Sequence, residues 1–516
     1  MQAHLATVAA VAAPPPPRAA ASAIERIERA LDRVFGAAAN PARQLGALAF
    51  LAFWIALASG AYLYVVFDTA ADAAHRSIEA LSIAQPWSGG IVRSLHRYSA
   101  DAFALLTLLH LSREWARGRY RGFRWFSWFT GVPLVLLLVA DGMVGYWLPA
   151  DTRAQFVATA IGEWVGWLPG FGDGLIRNFV TAEAISDRLF SLLVFLHIGV
   201  GLLILLGLWV HLLRLVRPRV NPTRSGGLGF AALMLALAIS LPALSTAPAD
   251  FARAPVDVPV DWLYLAPLAL AQGVSPLVSW TAAGSITLLL ALLPWTRREA
   301  VKPVVVDPAN CTGCARCFDD CPYGAVVMVP RSDTKRFKSI ARVDPALCAA
   351  CGICVGACPR SDAFRRTPVL ATGIDLPGHP IDQLRSQLSH ALAHRPGATV
   401  VFGCDHGADL RSLTPSDAIA FSTPCLGQVP PSFAEYALRR GAHAVLFAGC
   451  GEHDCEFRFG SRFTAERLRG AREPHLHPRA CGPQVQQIAA GRGDEPHVQA
   501  ALKSLRRQTQ ESVDVV

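Results

Sequence analysis

The sequence predicts three structural classes in one chain: an all-α transmembrane bundle, then an α+β domain, then an α/β domain with a parallel sheet. Three observations carry this. The 516 residues are 52% hydrophobic and only 17% charged, with a mean hydropathy of +0.33, too apolar for an ordinary water-soluble chain of this length. All 13 cysteines lie after residue 310, most of them in two tight clusters. Beyond residue 395, short apolar runs alternate with helix-patterned stretches, the signature of a parallel sheet.

The first 20 residues, Ala-rich with a PPPP run, lack the basic start of a signal peptide and are expected to be disordered. Residues 22–35, SAIERIERALDRVF, place apolar side chains at helical spacing and predict an amphipathic helix on the membrane surface. Stretches long and apolar enough to span follow at 46–67, 91–112, 130–149, 190–213, 228–247 and 273–295. DWLYLAPLALAQGVSPL, ahead of the sixth, reads as a shallow helix. Arg113, Arg117, Arg119, Arg121 and Arg124 follow span two, Arg214, Arg217, Arg219 and Arg224 follow span four, and Arg297 and Arg298 follow span six. The opposite loops are poorer in basic residues, so the positive-inside rule puts both termini in the cytoplasm. The net charge of +9 is thereby assigned to topology, and nucleic acid is not an expected partner.

Span two carries His96 and His110, and span four carries His197 and His211; each pair is fourteen residues apart. Fourteen residues make about four turns and roughly 21 Å of rise, so each helix presents two imidazoles on nearly one face at two depths. The two spans run in the same direction, which sets His96 against His197 and His110 against His211. Two imidazole pairs suit two bis-histidine haems in a four-helix dihaem bundle, with two further spans beside it. Zinc, the rival metal, wants three or four ligands at one point, and neither pair has a third. Gly46 and Gly60 in span one, and Gly131 and Gly145 in span three, repeat the fourteen-residue interval. A missing side chain lets a flat macrocycle approach the backbone, although small residues also serve ordinary helix packing. Asp101 and Asp141 are acids inside spans, where such groups mark proton paths or pair with a neighbour.

The text RSLHRYSADAF…LLHLSR, GYWLP (145–149), DRLFSLLVFLHIGVG and VNPT (220–223) resembles the cytochrome b of quinol-oxidising bc complexes, over roughly residues 25–295. The resemblance implies two b haems, Arg93 as the partner of a haem propionate and quinone sites near each haem. It also allows a homodimer through this part. That family carries a Pro-Glu-Trp-Tyr motif at its outer quinol site. Here PVDWLY supplies Pro259, Asp261, Trp262 and Tyr264, with a different register and a different acid. Asp261 is accordingly a candidate proton acceptor at a quinone site; its other reading is the cap of a helix start.

CTGCARCFDDCP (311–322) and CAACGICVGACP (348–359) each read C-x2-C-x2-C-x3-C-P. Three close thiolates grip one face of a cubane while the fourth reaches the other cluster. Cys311, Cys314, Cys317 and Cys358 are therefore expected on one [4Fe–4S] cluster, and Cys348, Cys351, Cys354 and Cys321 on a second. Two zinc knuckles are the competing reading. Residues 303–364 resemble bacterial two-cluster ferredoxins, which implies an α+β ferredoxin-like fold.

ATVVFGC, DAIAFSTPC and AHAVLFAGC then read as strands, alternating with helical stretches at 381–394 and 430–440. They end in Cys404, Cys425 and Cys450, at the edge where such sheets form their crevices, and Cys455 follows in GCGEHDC. Four thiolates at one edge suit a [2Fe–2S] cluster; buried structural cysteines are the other reading, and Cys481 is an alternative ligand to Cys404. GCDHGADL and PCLGQVPPSFAEYALRRGAHAVLFAGCGEHDCEFRFG resemble the iron–sulfur delta subunit of methyl-viologen-reducing hydrogenases. That resemblance implies one [2Fe–2S] cluster and electron exchange with a heterodisulfide-reductase-type flavoprotein.

The expected organisation is a disordered start and surface helix at 1–43, a dihaem transmembrane domain at 44–224, two further spans at 225–298, a two-cluster domain at 299–368 and a [2Fe–2S] domain at 369–516. No G-x-G-x-x-G follows a strand and no P-loop is present, which leaves quinone as the substrate in view. The expected function is electron exchange between the quinone pool, through two b haems, and a cytoplasmic oxidoreductase, through two [4Fe–4S] clusters and one [2Fe–2S] cluster. The alternative is a membrane anchor and electron relay whose quinone site lies on another subunit. The expected surroundings are membrane lipid and quinone in a bacterial inner membrane, with a heterodisulfide-reductase-like flavoprotein, a hydrogenase or a formate dehydrogenase on the cytoplasmic side. The cysteines, eight of them in two tight clusters that suit metal rather than disulfides, favour that reducing side.

Overall fold

The structure, a computed structural model, describes residues 19–169, 186–250, 252–253, 258, 261, 263–296, 302–333, 335–413, 418–451, 454–477 and 482–514. Residues 1–18 of the expected disordered start, and Pro259, Trp262, Arg297, Arg298 and Cys481, lie outside the described residues. The chain divides into two compact units, residues 26–213 with 218–298, and residues 299–516 with 1–25 and 214–217.

The first unit is helical: α1 (Ala19–Ala39), α2 (Leu45–Val66), α3 (Ala74–Ile83), α4 (Gly89–Ala116), α5 (Trp125–Trp147), α6 (Thr152–Gly166), α7 (Asp187–Leu212), α8 (Arg224–Ser240), α9 (Ala266–Gln272) and α10 (Pro276–Leu292). Among the described residues, four stretches are long and apolar enough to cross a membrane: α2, α5 with its preceding turn, α7, and α10 with its 3-10 extension to Trp295. Helix α4 runs 28 residues, longer than the expected span. It carries Arg93, Arg97, Asp101, Arg113 and Glu114, and each of these is paired inside the unit. Pairing is what makes such residues tolerable at membrane depth. Buried Glu28, on α1, accepts from Arg113 at 2.8 Å and from Arg117, which fastens the surface helix to the end of α4.

The fifth span, expected over 228–247, is shorter. Helix α8 has 17 residues and ends at Ser240, about 25 Å of rise against a hydrocarbon core of roughly 30 Å. Pro242 cannot continue the helix. The chain beyond it is drawn off by other groups: Ala243 N donates to Ser94 Oγ, Ser245 N to Glu79 Oε1 and Thr246 N to Asp151 Oδ2, each at 2.9 Å. Two helices that the apolar pattern does not announce, α3 and α6, lie between the spans. Helix α6 starts where Asp151 Oδ1 accepts from Ala154 N at 2.9 Å, a side-chain cap.

The second unit contains α11 (Arg316–Asp319), α12 (Ile353–Ala357), α13 (Ile381–His394), α14 (Ser432–Arg439), α15 (Gly460–Leu468) and α16 (Glu495–Asp514). Strands β2 (Val326–Pro330) and β3 (Ser339–Val343) pair antiparallel, as do the short β1 (Val305–Val306) and β4 (Ile374–Asp375). Strands β5 (Val400–Cys404), β6 (Ile419–Thr423), β7 (Val445–Gly449) and β8 (Val485–Ala489) form a parallel sheet in the order β6-β5-β7-β8. Every residue of the two central strands, VVFGC and VLFAG, is buried, the near-continuous apolar run of a sheet covered on both faces. Val400, Phe402, Val445 and Phe447 pack with Leu388 of α13 and Phe433 of α14, whereas Val401 and Leu446 pack with Val498, Leu502 and Leu505 of α16.

Arg467 on α15 is 1% exposed. It donates to Asp320 Oδ2 at 2.6 Å and to Gly427 O at 2.9 Å, tying the first cysteine segment to the sheet. Removing one partner of a buried pair strands the other charge and costs about 3–5 kcal/mol. Arg472 also holds Asp320, at 2.6 Å. Arg467→Ala should therefore cost about 3 kcal/mol, the low end of that range, read as a lowered thermal midpoint; an unchanged midpoint would contradict the burial argument.

Candidate redox centres

The four histidines stand on α4 and α7 at two depths. His96 and His197 face one another with ring centres 6.1 Å apart and planes 81° apart. Two imidazoles on opposite sides of one metal, with metal–nitrogen bonds of about 2.0 Å, need roughly that separation. His110 and His211 lie within electrostatic range of one another.

Each ring is seated against a glycine of a neighbouring helix. A Cβ at Gly60 would stand 2.9 Å from His96 Cε1, at Gly145 3.0 Å from His197 Cε1, at Gly131 3.4 Å from His211 Cε1 and at Gly46 3.5 Å from His110 Cε1. Gly46 meets His110 and Gly60 meets His96, so α2 and α4 are antiparallel, and the same logic makes α5 and α7 antiparallel. In the structure, imidazole rings contact the notches that the sequence suggests for a macrocycle. A bare glycine also exposes the helix carbonyl one turn earlier. Ala56 O, four residues before Gly60, accepts from His96 Nδ1 at 2.9 Å. Asp141 O, four before Gly145, accepts from His197 Nδ1 at 3.2 Å. The carbonyl of Ser127, four before Gly131, serves His211. With Nδ1–H donated backward, the tautomer is set and Nε2 remains the metal-binding nitrogen. The residues present fit a bis-imidazole metal group.

Arg93, the candidate propionate partner, donates through Nη1 to Glu79 Oε1 at 2.7 Å and Ser82 Oγ at 2.8 Å, and through Nη2 to Ser245 Oγ at 2.5 Å. These contacts join α4 to α3 and to the chain after α8. Asp261 is also engaged at both oxygens. Oδ1 accepts from Leu263 N at 2.6 Å and Tyr264 N at 3.1 Å, and Oδ2 accepts from Arg97 and the Tyr146 hydroxyl. To take up a proton it would have to give up one of these. Sequence reasoning missed Arg97, which binds Asp101 as well and lies 4.6 Å above the Tyr146 ring. The i,i+4 spacing of Arg97 and Asp101 is the signal that could have found it. The neighbour of Asp141 is a histidine: its Oδ1 is 2.9 Å from His197 Nδ1.

The two cysteine loops share one backbone device. Gly313 (φ 65°) and Ala315 (φ 62°) in the first, and Ala350 (φ 51°) and Gly352 (φ 74°) in the second, are left-handed at matching positions. Such turns aim successive N–H groups into a concavity that favours negative charge. Cys317 lies among Cys314, Cys358 and Cys311, and Cys354 among Cys351, Cys321, Cys317 and Cys348. Each neighbourhood thus includes cysteine from the other motif, Cys358 in the first and Cys321 and Cys317 in the second. Burial, reinforced by the neighbouring thiols, pushes Cys317 up to about 12, so ionising such a thiol is work that a bound metal would do. Among the described residues no group of three or more His, Cys, Asp or Glu is arranged to hold a single metal ion.

At the carboxyl ends of the parallel strands, Cys404 closes β5, Cys425 lies just beyond β6, and Cys450 directly follows β7. Cys450 Sγ is 3.2 Å from Cys404 Sγ. Hydrogen bonding to Cys455 pushes Cys425 up, and hydrogen bonds from Cys425 and Cys450 hold the Cys455 thiol well below its usual range. Cys351 of the second cysteine loop is a neighbour of Cys425, so these two groups adjoin.

The glycine contacts make a graded prediction. Gly60→Ala and Gly145→Ala place a methyl about 3 Å from an imidazole and should weaken the absorbance of a haem held by His96 and His197, whereas Gly46→Ala, at 3.5 Å, should leave that of a haem held by His110 and His211 nearly intact. Equal loss in all three variants, measured by reduced-minus-oxidised spectra, would contradict the imidazole seat.

Comparison with known proteins finds three matching segments. Residues 33–218 match the cytochrome b/b6/petB family, residues 310–361 the 4Fe-4S dicluster domain, and residues 400–503 the delta subunit of methyl-viologen-reducing hydrogenase. Cytochrome b6 of Synechococcus sp. (strain JA-3-3Ab) is 28% identical over 153 residues, 30% of this chain and 71% of that protein. Cytochrome b6 of Prochlorococcus marinus (strain NATL1A) is 26% identical over 153 residues, 30% of this chain and 70% of its own. A chain of a hyperthermophilic respiratory complex III is 18% identical, with a TM-score of 0.42, over 49% of this chain and 74% of that one. The cytochrome b match implies haem b and the dicluster match implies [4Fe–4S] clusters. The chain carries segments similar to cytochrome b, to a 4Fe-4S dicluster domain and to a hydrogenase delta subunit, with four described helices long and apolar enough to cross a membrane, which together support a multi-pass membrane subunit of electron transfer.

Proposed function

We propose that the chain exchanges electrons between the membrane quinone pool and a cytoplasmic oxidoreductase. Two b haems, two [4Fe–4S] clusters and one [2Fe–2S] cluster supply the one-electron chemistry. The observation that carries the reading is the matched fourteen-residue interval of His96/His110, His197/His211, Gly46/Gly60 and Gly131/Gly145, with each imidazole seated on one glycine. His96 with His197 holds the outer haem, and His110 with His211 the inner one. Cys311, Cys314, Cys317 and Cys358 hold the first cubane, Cys348, Cys351, Cys354 and Cys321 the second, and Cys404, Cys425, Cys450 and Cys455 the [2Fe–2S] cluster. The adjoining Cys351 and Cys425 support a continuous relay through the cysteine-bearing unit.

The arginine-rich loops at 113–124 and 214–224 support a cytoplasmic placement of both termini in a bacterial inner membrane. The soluble partner is of the heterodisulfide-reductase, hydrogenase or formate dehydrogenase kind, by analogy with the hydrogenase delta subunit that residues 400–503 match. The domain boundaries expected from the sequence, at 44, 225, 299 and 369, belong to the same proposal.

One observation favours a second reading. Both oxygens of Asp261 are occupied, which suits an electron relay whose quinone site is on another subunit. Adding a quinol to the purified chain separates the two. Reduction of haem absorbance without partners supports the first; no reduction by quinol, with full reduction by dithionite, supports the second. For the cysteines at the sheet edge, Cys455→Ser should abolish the [2Fe–2S] signal in electron paramagnetic resonance and spare the [4Fe–4S] signals. Retention of that signal would move the ligand set away from Cys455.

A further inference from the structure

The glycine notches differ in one respect. The residue one turn before the glycine is Ala56 at the His96 seat, Ser127 at the His211 seat and Asp141 at the His197 seat. His197 is therefore the axial candidate whose carbonyl acceptor also carries a carboxylate. Asp141 Oδ1 stands 2.9 Å from His197 Nδ1, while the N–H itself is aimed at the Asp141 carbonyl at 3.2 Å. Oδ1 is buried and takes no hydrogen bond from any other group among the described residues. Among the described residues no arginine is paired with it, in contrast to Asp101 and Asp261, which share Arg97. A carboxylate in this setting, desolvated by the helices around it, costs free energy unless it faces positive charge.

We infer that Asp141 is a positioning residue for His197 that lowers the reduction potential of the outer haem relative to the inner one. This rests on the bis-histidine reading of the outer pair. A carboxylate next to Nδ1–H draws that proton and makes Nε2 a stronger donor to the metal, the arrangement that recurs behind metal-bound histidines. Stronger donation and a nearby negative charge both favour the oxidised, more positive metal, so the two effects have the same sign. At the inner pair the carboxylate is held differently: the seat of His211 carries the Ser127 carbonyl and the Thr130 hydroxyl, 3.2 Å from Nδ1, and Glu114, whose charge reaches both His110 and His211, is bound by Arg113 at 3.1 Å. The two sites thus differ in that the carboxylate at the outer pair touches Nδ1 without an arginine partner among the described residues, whereas the one near the inner pair is neutralised by Arg113.

The test is a spectroelectrochemical titration of both haems in the full-length chain and in Asp141→Asn. The haem-to-protein ratio is measured first; fewer than two haems in the unaltered chain would refute the bis-histidine reading itself, whatever Asp141 does. With both haems present, Asp141→Asn should raise the reduced-to-oxidised ratio of the outer haem at a fixed potential about tenfold, which is about 59 mV for a one-electron couple. The inner haem should not move. An unchanged outer potential, or an equal shift of both haems, overturns the inference. If Asp141→Asn fails to retain the outer haem, Asp141→Glu decides: retention near the original potential supports a carboxylate at this place, and loss of the haem or a shift in its potential overturns it.

Discussion

Four imidazoles pressed into four glycine notches set the spacing of the helical unit. Each contact is between a ring and a bare backbone, and the approach is closest at Gly60, between α2 and α4, and at Gly145, between α5 and α7, where a Cβ would stand about 3 Å from the ring. A slip of one residue in either pair would put a side chain where the ring lies, and interiors packed at crystal-like density do not absorb such a change. At three of the four notches the helix also supplies the acceptor that fixes the tautomer, the carbonyl one turn before Gly60, Gly131 and Gly145. Steric room and hydrogen bonding are thus two results of the same missing Cβ.

With that spacing imposed, the ends of α4 bring charge into the bundle, and the surrounding elements neutralise it. Arg113 and Arg117 reach Glu28 on α1, Arg93 reaches Glu79 on α3, and Arg97 reaches Asp101 and Asp261. Buried charges of this kind add little stability in net terms and are very costly when one partner is lost. Their value is that they specify which segment packs where. The shortened α8 follows from the same demand, since the chain beyond Ser240 supplies backbone donors to Ser94, Glu79 and Asp151.

The features legible in the sequence were those repeated at a fixed interval. The histidine and glycine spacing, the two C-x2-C-x2-C-x3-C-P motifs and the three strands ending in cysteine all express a constraint that one element imposes on itself. Helix 381–394 was legible for the same reason, its apolar face being complete within its own length. Contacts that depend on the register between helices were not. Nothing in the text around Asp141 tells that its carboxylate lies beside His197, because that follows from the antiparallel approach of α5 and α7. The end of α8 was hidden because a proline inside an apolar run is compatible with a kink as well as a stop, and the groups that decide it are distant in sequence. Helices α3 and α6 were missed because short amphipathic segments between spans have no apolar run to announce them.

In the cysteine-bearing unit the neighbour relations among thiols play the part that the glycine contacts play in the bundle, since they bring residues from two motifs into each set. On the proposed reading each unit holds its electron carriers by pairs or quartets of side chains that its own fold brings together. The pairing of four histidines into two sites is tested most directly by a pyridine haemochrome assay on the intact purified chain at known protein concentration. Two b haems per chain is the expected result, and a value of one would contradict the pairing of His96 with His197 and His110 with His211.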